Sequence, residues 1–153
     1  MNSTTALLIL HGLCAVALLG AITHQAASVL LPARRPAGSF AGRFRAVPAP
    51  SYANAIALLY VVTFILGAII YAEYRISVRT VVEQLELRAA NGAFELKEHF
   101  AAIGLGLLPV YWHYWRQAER PRARAAVTAL LAFVAWWSFL VGHVVNNIRG
   151  FGG

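Results

Sequence analysis

The chain has 153 residues, 59% of them hydrophobic and 12% charged, with a formal net charge of +7. A water-soluble domain carries about twice that charged share, so the composition excludes an ordinary soluble core and fits one domain, residues 1–153, of helices solvated by lipid. The basic excess does not make a nucleic-acid surface, because the Lys and Arg residues sit in short segments between or after long apolar runs, the placement that sets membrane topology.

A hydrocarbon core about 30 Å thick takes roughly 20 apolar residues in a helix. The first uncharged run, about residues 6–31, stops at Pro32 and the pair Arg34 and Arg35. With no basic residue before it and no small-residue cleavage site at its end, it reads as a retained membrane helix and not as a signal peptide. Cys14 within it is the only cysteine, which leaves no intramolecular disulfide and reads as a small buried thiol. The second run covers about 52–73 and stops at Glu73. Beyond it, Ile76, Val81, Val82 and Leu85 recur at nearly helical spacing with Arg79, Glu83 and Glu86 between them. That pattern predicts a short amphipathic helix on the outer surface, or an extension of the second span. Asn91-Gly92 reads as a turn, which puts the third span at about 94–116, and the fourth, about 125–148, follows Pro121. Backbone exposed to lipid must satisfy its own hydrogen bonds, so each run is a helix. The expected fold is all-α: a four-helix transmembrane up-and-down bundle with a short amphipathic outer-surface segment and a fraying tail at Gly150–Gly153.

Orientation follows from the connections. Residues 33–51 hold Arg34, Arg35, Arg43 and Arg45 without an acid, and residues 116–124 hold Arg116, Arg120, Arg122 and Arg124 against Glu119. Residues 73–99 balance Arg75, Arg79, Arg88 and Lys97 against five glutamates, and the N-terminus has no basic side chain. The first and third connections are therefore expected in the cytoplasm, with the second and both termini outside, as in a bacterial inner membrane. Tyr111, Trp112, Tyr114 and Trp115 then form an aromatic belt at the inner interface.

The chain has no Asp, no nucleophile triad, no phosphate-binding glycine loop and no zinc-protease motif. Its chemical signal is five histidines: His11 and His24 in the first span, His99 and His113 in the third, and His143 in the fourth. Ionisable residues inside a bilayer are rare and mark functional sites. His99 and His113, fourteen residues apart, lie about 21 Å apart along a helix and within about 40° of one face. His11 and His24, thirteen apart, are separated by about 19.5 Å and, in a straight helix, by about 140°. The first and third spans run the same way, so His11 is level with His99 and His24 with His113. Two stacked levels of imidazole pairs suit two low-spin haems with axial histidines.

In these histidines the chain resembles the membrane b-type cytochromes, whose four-helix bundle holds two haems stacked across the bilayer. Their ligands are two histidines fourteen apart on one helix and two similarly spaced on a parallel one. His99 and His113 match that spacing, and His11 and His24 fall one residue short of it. The resemblance implies two haems b, ligated by His11, His24, His99 and His113, and electron transfer with quinone, quinol or a partner redox subunit of a larger membrane complex. His24 and His113 are the expected inner pair, and His99 takes either His11 or His143 at the outer level.

Arg75 and Arg79, which share a helix face, and Lys97 are candidate partners for outer haem propionates, with Arg35 and Arg116 inside; interfacial snorkelling is the competing reading. Glu98 either orients His99 or relays a proton, with a solvated loop acid as the competing reading. Gly12, Gly20, Gly67, Gly104, Gly106 and Gly142 either admit a porphyrin or pack helices closely. Two alternatives stay open: an outer copper or zinc site of His11, His99 and His143, and a non-redox structural or transport subunit. With so little mass outside the spans, a catalytic domain for a soluble substrate belongs to another subunit.

Overall fold

A computed structural model describes residues 3–30, 39–40, 49–117 and 119–148. They form helices α1 (Ser3–Leu30), α2 (Ala49–Ser77), α3 (Arg79–Gln84), α4 (Arg88–Arg116) and α5 (Pro121–Ile148), with no strand among them. The arginines of the first connection (Arg34, Arg35, Arg43 and Arg45) and the glycine tail lie outside the described residues.

Each long helix extends beyond the apolar run that predicted it. At 28 or 29 residues, each is about 42–44 Å long, against a hydrocarbon core of about 30 Å. Three are long and apolar enough to cross a membrane: α1, α2 from Tyr52 to Ser77, and α5 from Pro121 to Val145. α4 has the length, but Arg88, Glu95, Lys97 and Glu98 make its first third polar. Pro121 opens α5, where a missing N–H costs no intrahelical bond.

The expected turn at Asn91-Gly92 is corrected. Both residues lie inside α4, and the Asn91 N–H bonds the Leu87 carbonyl at 3.2 Å. The chain reverses five residues earlier, at Glu86, whose φ is 54°. The Glu86 N–H reaches back to the Glu83 carbonyl and the Leu87 N–H to that of Val82, each at 3.0 Å. This pair of bonds satisfies the last carbonyls of α3 around one left-handed residue, a place usually taken by glycine. α3 follows α2 after a one-residue break at Val78, so it is an extension of the second span. Of the apolar residues in the expected amphipathic pattern, Val82 is buried, while Ile76, which lies in α2, and Leu85, just past the end of α3, are exposed.

α1 packs against α2 and α5, and α4 packs against α2 and α5, so the four long helices touch in a closed ring. Sequential neighbours run antiparallel: His11 meets Thr63 while His24 meets Tyr52, and Trp115 meets Thr128 while Lys97 meets Gly142. α1 and α4 consequently run parallel. The core is gathered at the His24 end. Ile22, Ile56, Tyr111, Leu131 and Val134 are fully buried there, together with the polar Gln25 and Thr128. From residue 3 to residue 17 of α1, and from 61 to 77 of α2, no side chain is buried.

Candidate functional site

Gly104 fixes how closely the helices approach. The Tyr60 ring from α2 occupies the space where a Cβ at Gly104 would stand, and Val134 of α5 would lie 2.9 Å from that atom. Tyr60 Oη donates to the Ala101 carbonyl at 2.9 Å, which holds the ring over the glycine. Gly104 is therefore a packing glycine. Its position sets the phase of α4: Gly104, Leu108, Tyr111 and Trp115 are buried at i, i+4, i+7 and i+11.

That phase decides where the predicted site residues go. Tyr111 faces inward and donates its hydroxyl to the Gln25 side-chain carbonyl on α1. His113 stands two residues, or about 200°, further round the helix and is exposed. His24, one residue before Gln25, is turned to α2, where the Tyr52 ring meets it edge-on at 5.9 Å and Tyr52 Oη lies 3.4 Å from its Nδ1. The two histidines share one end of the molecule but are not brought together, because Gln25 and Tyr111 fill the space between α1 and α4.

His11 does face inward. It lies on the face of Leu18, Ile22 and Gln25, which follow it by 7, 11 and 14 residues, and the offset of about 140° from His24 is that of a straight helix. Its Nδ1 lies 3.1 Å from the Thr63 carbonyl, and its ring edge would be 3.1 Å from a Cβ on Gly67. Opposite, Lys97 and Glu98 of α4 are within electrostatic reach. The fourteen-residue register of α1 and α4 is thus occupied by His11 with Lys97 at one level and by Gln25 with Tyr111 at the other. Gln25 carries no charge and no unusual spacing, so nothing in the sequence singled it out.

His99 and His143 are both exposed. The His99 Nδ1–H donates to the Glu95 carbonyl one turn back at 2.7 Å, which leaves the lone pair of a neutral ring on the outward Nε2. His113 is similar, its Nε2 accepting from the Gln117 amide at 2.8 Å. His143 stacks on Phe139 at 6.3 Å and accepts from Asn147 at 3.2 Å. No group of three or more His, Cys, Asp or Glu side chains that could hold a metal ion is present among the described residues.

The basic candidates are engaged locally. Arg79 Nε bonds Glu83 at 2.7 Å, and its Nη2 reaches Glu95 at 3.1 Å, which ties α3 to α4. The Glu83 hydrogen bond, followed by the charges of Glu83 and Glu95, holds the guanidinium pKa above its ordinary value. Lys97 pairs with Glu98 at 2.8 Å and sits 4.6 Å over the Phe94 ring, so Glu98 neutralises an ammonium instead of contacting His99. Arg75 is exposed near the end of α2, and Arg35 lies outside the described residues. Arg116 covers the exposed Trp112 ring at 3.7 Å, but Tyr111 and Trp115 are core residues and not members of an interfacial belt. Trp115 Nε1 donates to Thr128 at 2.9 Å, which satisfies the indole inside the bundle.

No protein family, no curated protein and no solved structure matches the chain. Among the described residues the fold is all-helical, with three helices long and apolar enough to span a membrane.

Proposed function

We propose that the chain is an integral membrane electron-transfer protein of the b-type cytochrome kind, whose α4 binds haem b through His99 and His113. In this reading the four long helices cross the bilayer as an up-and-down bundle with both termini on the non-cytoplasmic face. The polar start of α4 reaches the outer interface, and its uncharged stretch from Phe100 to Trp115 passes through the hydrocarbon.

One observation carries the reading. His99 and His113 stand on the outward face of α4, fourteen residues apart, with Gly106 midway between them. Ionisable side chains in membrane spans are rare and mark functional sites, and haem ligation would give this pair a role that their local bonds to Glu95 and Gln117 do not. His99 already has the arrangement usual for a ligating histidine, in which one ring N–H is held by a backbone carbonyl and the other nitrogen presents its lone pair outward. His113 presents the same nitrogen once Gln117 releases it. The filled interior at the His24 end, where Gln25 and Tyr111 occupy the space between α1 and α4, argues against a haem held between His24 and His113. When bound, haem iron supplies one-electron chemistry. The chain's part is to orient the imidazoles and surround them with apolar side chains such as Ile103 and Val110. Quinone, quinol or a partner redox protein is the natural source or acceptor of those electrons.

The test is an absorption spectrum of the detergent-purified chain, oxidised and then reduced. A Soret band with sharp reduced α and β bands, diminished by His99→Ala and again by His113→Ala, supports the reading. A colourless protein, or one whose spectrum ignores both substitutions, overturns it.

A further inference from the structure

The basic residues at the two ends of the bundle are answered differently. Near the His11 end, five glutamates accompany Arg75, Arg79, Arg88 and Lys97, and Arg79 and Lys97 are ion-paired. At the His24 end, residues 116–124 hold Arg116, Arg120, Arg122 and Arg124 against Glu119 alone, a net +3. None of these four arginines makes an ion pair among the described residues. Arg116 and Arg124 lie over the Trp112 and Trp115 rings instead, at 3.7 and 5.2 Å. Arg120 and Arg122 are exposed and line a pocket of about 350 Å³ with Glu119, Pro121 and Ala123.

The start of α5 adds to this excess. Its first turn contains no acid, although the peptide dipoles already leave partial positive charge at a helix N-terminus. Arginines there are unfavourable, and an anion beside them is stabilising. Toward the middle of the bundle, Arg122, Ala126, Leu130 and Phe133 are all exposed and recur at i, i+4, i+8 and i+11. They share one face of α5 within about 80°, and the stripe they form is about 16.5 Å long. Half of a hydrocarbon core about 30 Å thick is nearly the same depth. At the far end of the stripe, Phe133 meets Phe100 of α4 edge-on at 5.9 Å, so the stripe runs beside the α4–α5 contact. Positive charge at the head of an apolar track one leaflet deep complements a lipid with a negative headgroup.

We infer that the α4–α5 connection binds one anionic phospholipid, with its phosphate at Arg120 and Arg122 and an acyl chain along Ala126, Leu130 and Phe133. This is independent of the haem reading and rests only on the bundle lying in a membrane, in either orientation. Basic clusters next to a membrane helix attract anionic headgroups. A zwitterionic lipid carries the same phosphate but brings its own cation among the arginines, and is the poorer fit. A soluble phosphate suits the head of the site and gains nothing from the apolar stripe below it. Glu119 offsets one of the four positive charges, which leaves the attraction to an anion in place.

The experiment titrates the detergent-purified full chain with phosphatidylglycerol or phosphatidylcholine, with and without inorganic phosphate, and counts bound lipid by native mass spectrometry. Phosphatidylglycerol is expected to bind as one tight equivalent per chain, and phosphatidylcholine more weakly. Arg122→Gln should weaken phosphatidylglycerol about fivefold, and Arg120→Gln with Arg122→Gln about 25-fold. Arg88→Gln removes an equal charge from the start of α4, at the opposite end, and should leave the affinity unchanged. Equal binding of the two lipids, or equal weakening by Arg88→Gln, overturns the inference. Inorganic phosphate that displaces the lipid at equal concentration marks a site for soluble anions and overturns it as well. A second measurement needs no substitution: phosphatidylglycerol with a photoreactive group midway along one acyl chain is activated in vesicles that contain the chain. Label at Ala126, Leu130 or Phe133 supports the site, and label that misses α5 refutes it. Each of these failures leaves the haem reading standing, whereas a chain that stays monodisperse in water without detergent overturns both.

Discussion

Tyr111 on α4 donates its hydroxyl to the side-chain carbonyl of Gln25 on α1, and both residues are wholly buried. This bond links the two parallel helices of the ring through its centre. It stands at the level where the sequence alone placed a pair of imidazoles.

Removing one half of that bond is expected to cost more than removing both. Tyr111→Phe leaves the Gln25 carbonyl unsatisfied, and the Gln25 amide nitrogen is already buried without a partner among the described residues. The loss should be about 1–3 kcal/mol, whereas Tyr111→Phe combined with Gln25→Leu should be close to neutral. Equilibrium unfolding in detergent micelles measures both. Equal destabilisation of the single and double variants would mean that the pair contributes through shape and not through the bond.

Gly104 and Gly20 should respond oppositely to the same methyl group. Gly104→Ala drives a Cβ into the Tyr60 ring and against Val134, and overpacking of this kind costs typically about 1–3 kcal/mol. Gly20→Ala meets nothing within 4 Å and should be neutral, or better by up to about 1 kcal/mol through helix propensity. Thermal denaturation of the two variants side by side decides it, and a stable Gly104→Ala protein would refute the close approach of α2 and α4.

Glu86 is the non-glycine residue with positive φ among the described residues. Its left-handed backbone carries a steric cost of roughly 1–2 kcal/mol that glycine avoids. Glu86→Gly is therefore expected to raise stability by up to about 1 kcal/mol, and Glu86→Val to lower it, since a β-branched side chain tolerates that conformation worst. A melting temperature that falls on Glu86→Gly would locate the chain reversal elsewhere.

The bridge from Arg79 to Glu95 fastens the α3–α4 turn, with Glu83 on the same guanidinium. Arg79→Ala should expose residues 85–88 to protease without changing the global unfolding transition. High salt should act in the same direction on the wild-type chain, because these groups are open to solvent and their attraction is screened. Limited proteolysis followed by mass spectrometry reads the cut site, and unchanged resistance would show that backbone bonds alone hold the turn.

Topology is open to a direct test. In a Cys14→Ser background, single cysteines at Arg43 and Arg120 should be protected from impermeant reagents in intact cells, and a cysteine at Glu86 should be labelled. Labelling at Arg43 would invert the bundle in the membrane.

Helix content was legible from one dimension, while each long helix runs past the apolar stretch that predicted it. Long apolar runs in a chain with few charges leave the backbone no alternative to internal hydrogen bonding, so four long helices follow from the order of residues alone. The fourteen-residue spacing of His99 and His113 on α4 was also legible, since 14 residues close on nearly four turns, whereas on α1 the histidines are thirteen apart and the fourteen-residue partner of His11 is Gln25. What periodicity cannot supply is the absolute phase of each helix, meaning which of its stripes is turned inward. That depends on which neighbour comes close, and on α4 the approach is made by Tyr60 and Val134 at Gly104. With Gly104, Leu108 and Tyr111 drawn inward, the stripe of His99 and His113 has to face outward, because a rigid helix cannot bury opposite sides in one core. Tertiary packing thus decided that Gln25 and Tyr111 meet at the centre and that the α4 histidines look away from it.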